Sequence, residues 1–98
     1  MATVHITFSA VTNIGEAALL PKVPRAVQTM TSSGTSAAST ITAKKGEVAN
    51  IVSSGGAIYV GIGAAPTAAS GSGYLVETGE RLVLSGLQTG DKVAIKDV

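Results

Sequence analysis

The chain has 98 residues, enough for one domain that buries roughly 65% of its unfolded surface. Only 13% of the residues are charged and the net charge is +1, so nothing marks it for nucleic acid or anionic lipid. There is no cysteine, which excludes a disulfide framework, a thiolate metal site and a thiol nucleophile, and which suits assembly in a reducing cytoplasm.

The mean hydropathy of +0.40 comes from Val, Ile, Leu and Ala. Phe8, Tyr59 and Tyr74 are the only aromatics, a light set for a self-sufficient core. Further copies or a larger partner would add the missing buried area. A surface of Ser, Thr, Gly and Ala is also easily desolvated. It reflects either a surface built to be covered or composition alone.

At the N-terminus, Val4, Ile6 and Phe8 alternate with Thr3, His5 and Thr7, which predicts a strand or an extended arm. This stretch lacks the basic and continuous apolar regions of a signal peptide. No run in the chain approaches the ~20 apolar residues of a membrane span, so a soluble chain is expected. Residues 15–20 predict a helical turn or two stopped by Pro21. Pro21 and Pro24 then hold Lys22, Val23 and Arg25 near an extended conformation. Residues 1–25 therefore read as an arm reaching from a β body at 26–98, or as a segment packed on its own sandwich.

Residues 26–30, 40–43 and 48–52 predict short strands, with Lys44-Lys45-Gly46 turning between the last two. After the reversal at Ser53-Ser54-Gly55-Gly56, residues 57–62 predict a strand with Ile58, Val60 and Ile62 toward the core. Gly61, on its outer face, either lets another backbone approach closely or marks a bulge. Residues 64–73 read as a long exposed loop, and such loops are often contact sites. Residues 74–77 and 80–84 predict a hairpin about Thr78-Gly79. Gln88-Thr89-Gly90-Asp91 turns the chain into a closing strand over 91–96. There Val93 and Ile95 face inward, and Lys92, Ala94 and Lys96 outward. Short strands with Gly/Ser punctuation predict an all-β fold: a single small β-sandwich or jelly-roll-like domain with an extended N-terminal arm.

Residues for catalysis are scarce. His5 is the only histidine and sits on the polar side of a terminal strand, so a catalytic triad would have to recruit it. Glu16, Glu47, Glu77, Glu80, Asp91 and Asp97 are dispersed; Glu77 and Glu80 flank a tight loop and read as solvated turn charges ahead of a shared Ca²⁺ site. No Gly-x-Ser-x-Gly elbow occurs. Gly61-Ile62-Gly63-Ala64-Ala65-Pro66 fails the dinucleotide fingerprint at Pro66, with no helical pattern after it. Two tyrosines without basic neighbours make no base-stacking platform. The reading is of a non-enzyme with no cofactor, no metal, no nucleic acid and no membrane.

Between residues 48 and 96 several pieces follow in order: Tyr59-Val60-Gly61-Ile62-Gly63, Ala65-Pro66-Thr67-Ala68, Tyr74-Leu75-Val76, Gly79-Glu80 and Gly90-Asp91-Lys92-Val93-Ala94-Ile95. Together they resemble small structural proteins of tailed-phage virions. One departure is Leu75-Val76-Glu77-Thr78-Gly79, where that group commonly carries Leu-Pro-Ala-Gly, so a different turn geometry is expected there. The resemblance covers about half the chain and brings no catalytic residues. It implies a decoration or cement protein on the outer capsid surface, made in the host cytoplasm. Its partners would be the major capsid protein and copies of itself in a homotrimer. A head-fibre base or tail component, and a carbohydrate-binding module for host adhesion, are the alternatives. Expected capsid or subunit contacts are Val4, Ile6, Phe8, Pro21, Val23 and Pro24 on the arm, with Ala65, Pro66 and Thr67 on the loop.

Overall fold

A computed structural model describes residues 2–14, 18–21, 25–69 and 73–98. Period-two alternation organises them into ten strands with no helix: β1 (Thr3–Ser9), β2 (Val11–Ile14), β3 (Ala18–Pro21), β4 (Ala26–Thr31), β5 (Ala37–Ala38), β6 (Val48–Ser54), β7 (Ile58–Gly63), β8 (Tyr74–Val76), β9 (Arg81–Leu84) and β10 (Lys92–Asp97). Two four-stranded sheets result, in the orders β4-β1-β6-β9 and β5-β10-β7-β8, with every pairing antiparallel. They form a β-sandwich. Between the sheets lie Val4, Ile6 and Phe8 of β1, Ile51 of β6, Ile58 and Val60 of β7, and Val93 and Ile95 of β10. Each such side chain contributes roughly 1.5–3 kcal/mol on burial.

β1 is a central strand, paired to β4 on one side and β6 on the other. Of the two readings of residues 1–25, an arm or a segment packed on its own sandwich, β1 follows the second: Val4, Ile6 and Phe8 are core residues. Beyond β1, β2 and β3 pair with each other in a two-stranded ribbon of their own. It leaves the body where Ser9 lies opposite Val48. Residues 18–20, expected to be helical, are strand, because their backbone pairs with 12–14 in a hairpin register. Residues 15–17 lie outside the described set.

Two further expectations change. Residues 40–43 form no strand, because side chains replace the ladder there: Gln28 Oε1 accepts the N–H groups of Thr40 (2.9 Å) and Ile41 (3.3 Å). Ser39 Oγ likewise accepts the Val93 N–H at 3.1 Å. The segments 74–77 and 80–84 do not pair as a hairpin. β8 pairs with β7 and β9 with β6, so the chain crosses between sheets at this point. Glu80 N–H closes the turn on Glu77 O at 3.0 Å, and Gly79 N–H donates to Ser53 O at 2.8 Å, delivering the chain to the β6 sheet. Gly79, at φ 81°, takes the left-handed conformation this reversal requires.

Residues 64–69 fold back as a strap over the outer face of the second sheet. Ala38, Ala94 and Gly61 lie in one row across β5, β10 and β7. Over that row of small residues, Ala68 is buried and its N–H donates to Ser36 Oγ at 2.9 Å. A Cβ on Gly61 would lie 2.7 Å from Thr67 O, so close backbone approach is the reason for glycine there.

Gly61→Ala is expected to cost on the order of 1–3 kcal/mol, because backbone has to shift. A lower urea midpoint and lost hydrogen-exchange protection at the Ala68 amide would report it. Deleting residues 1–10 removes the strand between β4 and β6 and should abolish the folded far-UV circular dichroism spectrum. A truncated chain with native-like cooperative melting would contradict this placement of β1.

Candidate functional site

The residues expected to meet a partner are not gathered in one place. Val4, Ile6 and Phe8 are 0–1% exposed and cannot be contacts while the domain is folded, because they close the core. Pro21 ends β3 on the separate ribbon, and Val23 and Pro24 lie outside the described residues. Ala65 and Thr67 are exposed and Pro66 is half-buried, all on the strap. The expected loop contacts thus sit on the outer face of one sheet, and the described arm contacts divide between core and ribbon.

The two flanks of the sandwich differ. On the β4/β5 flank, side chains tie the sheets together. Gln28 of β4 holds Thr40 and Ile41, and Ser32 Oγ accepts the Ala2 N–H (2.7 Å) and donates to Asp97 of β10. On the other flank, β8 and β9 are the edge strands of their sheets, joined directly by the crossover turn. Tyr74 and Leu75 of β8 and Val83 of β9 are each at least half exposed there. Leu75 is opposite Tyr59, which is opposite Lys96, giving a row of aliphatic, aromatic and cationic side chains across the second sheet.

A cleft of about 150 Å³ opens near this flank. Ile62, Leu84 and Leu87 supply its apolar wall, Tyr74 its aromatic one, and Asp91 its single charged group, with Ser85 and Gly86 completing it. Gln88 N–H donates to Asp91 Oδ2 at 2.9 Å and Asp91 N–H to Gln88 O at 3.1 Å, so the turn fixes the carboxylate. Gly90, at φ 93°, makes that turn possible. The sequence signal for this flank was the adjacent pair Tyr74-Leu75 and the outward Val83. The supposed hairpin concealed it.

Glu47, in sequence one of six dispersed acidic residues, is buried. Arg25 Nε donates to Glu47 Oε2 and Arg25 Nη2 to Glu47 Oε1, both at 2.8 Å, a two-point pairing across 22 positions of sequence. Arg25 Nη2 also donates to Thr42 O at 2.5 Å, and Lys44 N–H to Glu47 Oε1 at 2.7 Å. The hydrogen bonds from Arg25 hold the Glu47 carboxyl below the usual range, outweighing the opposite push from burial, with the Lys44 N–H assisting. The same pairing raises the already high value of Arg25. This pair ties the start of β4 to the turn before β6.

Among the described residues, no three His, Cys, Asp or Glu side chains gather where a metal ion could be held. His5 Nδ1 lies 3.1 Å from Thr29 Oγ1 on an exposed sheet face. Among the described residues, no helix is long and apolar enough to cross a membrane. Comparison with protein-family models, with curated proteins and with solved structures gave no match.

Because the Glu47 value is lowered by folding, its contribution to stability is full above the ordinary glutamate value and fades as pH falls through the lower folded value. Glu47→Gln should cost roughly 1–3 kcal/mol at pH 7. The gap in thermal midpoint between the two proteins should narrow below about pH 4. A gap that stays constant to pH 2 would show that the carboxylate charge is not what stabilises this junction.

Proposed function

We propose that this chain is a non-catalytic virion structural protein that binds the outside of a tailed-phage capsid lattice and stabilises it. The observation that carries this reading is the β8/β9 flank, where two free sheet edges lie side by side with Tyr74, Leu75 and Val83 exposed. A domain with few charged residues loses little hydration when such a flank is covered. The ordered motifs between residues 59 and 95, by their resemblance to those of small phage structural proteins, also support this reading. The partners in this reading are the major capsid protein and further copies of the chain, assembled as a homotrimer. Weak contacts repeated over a lattice add up through multivalency.

The test is co-sedimentation with expanded capsids assembled from the major capsid protein of the same phage genome. The wild-type protein should saturate a fixed number of lattice sites, and light scattering of the free protein should give the mass of a trimer. Tyr74→Ser combined with Leu75→Ser should weaken capsid binding at least about tenfold, the loss expected from truncating a central apolar contact. Absence of capsid binding by the folded wild-type protein would overturn the proposal. Full binding by the double variant would remove the β8/β9 flank as its basis.

A further inference from the structure

The cleft beside β8 combines three features that together select a ligand chemistry. Its apolar wall is Ile62, Leu84 and Leu87, its aromatic ring is Tyr74, and its one charge is the Asp91 carboxylate. A volume near 150 Å³ is of the order that admits a benzene-sized group. No cationic side chain lines it, so an anion finds no counter-charge. A single carboxylate is also too few ligands for a metal ion.

We propose that this cleft is a docking socket for an arginine side chain of a partner protein. The aliphatic stem of arginine packs along Ile62, Leu84 and Leu87, as long cationic side chains do on apolar surface. Its planar guanidinium has both the ring of Tyr74 to stack on and the Asp91 carboxylate to pair with, a combination that suits arginine better than the compact ammonium of lysine. Asp91 Oδ2 already accepts the Gln88 N–H, which holds the carboxylate in position, and Oδ1 takes no hydrogen bond among the described residues. Tyr74 is half exposed and therefore reachable. The inference does not depend on what the partner belongs to, and stands or falls apart from the capsid reading.

The experiment is a titration of the full, isotope-labelled chain followed by amide chemical shifts. The probes are N-acetyl-arginine methylamide, its lysine analogue and the uncharged norleucine analogue. The arginine compound should give saturable shifts at the amides of Ile62, Tyr74, Leu84 and Asp91, with an affinity in the millimolar range. Asp91→Asn, whose amide oxygen still accepts from Gln88, should weaken it roughly three- to tenfold, and Tyr74→Ala should do the same. Amide spectra of both variants that overlay the wild type elsewhere establish that they are folded. Absence of saturable shifts, equal binding of the norleucine analogue, tighter binding of the lysine compound, or unchanged affinity in Asp91→Asn would each overturn the proposal.

Discussion

Val4, Ile6 and Phe8 extend from one face of β1 into the space between the sheets, and the sandwich closes around them. With Phe8 as the only aromatic among the fully buried side chains, the interior depends on close packing of Val and Ile from β1, β6, β7 and β10. Such a core tolerates little loss of volume, so the strand that contributes three of its members controls the rest. The Arg25–Glu47 pair acts at the same place in the structure. It fastens the chain leaving the ribbon to the turn that starts β6, so that β1 enters the sheet between two anchored neighbours.

Both sheets are finished by groups other than backbone ladders. Gln28 and Ser39 hold an irregular segment against the sandwich by accepting its N–H groups or those of β10. The strap over Gly61 and Ala94 covers part of a sheet face that short side chains leave low. These devices lie on one flank and one face. Among the described residues the β8/β9 flank has none of them, and three of the exposed large apolar side chains, Tyr74, Leu75 and Val83, belong to it, while Val27 and Val98 are exposed singly elsewhere.

The alternation of Val93 and Ile95 with Lys92 and Lys96, and of Ile58 and Val60 with Tyr59, was enough to read β10 and β7 and hence the all-β class. Partner choice was not readable. A four-residue turn at residues 77–80 serves a hairpin and a crossover equally well. What decides is the distant Ser53 carbonyl that receives Gly79. For the same reason the pairing of Glu47 was not readable, since its partner lies 22 positions away. Alternating Val4, Ile6 and Phe8 fit both a central strand and an arm that clasps a neighbour, because each buries one face. Only the pairing of β1 on both sides separates the two. The exposed flank was hidden by reading its two edge strands as each other's partners.

Strand order has a consequence for how the chain reaches its native state. The centre of one sheet is occupied by β1 and the centre of the other includes β10, the first and last strands of the ten. β1 waits for β6 before its second ladder can form, and β7 waits for β10, so neither layer matures from local contacts alone. Closing such distant pairs carries a loop-entropy cost before any burial offsets it. Folding should therefore be slow for the size of the chain and cooperative. On the ribosome the aliphatic faces of β1, β6 and β7 stay uncovered until β10 emerges, which makes the period of synthesis, more than the finished sandwich, the time of greatest exposure to aggregation.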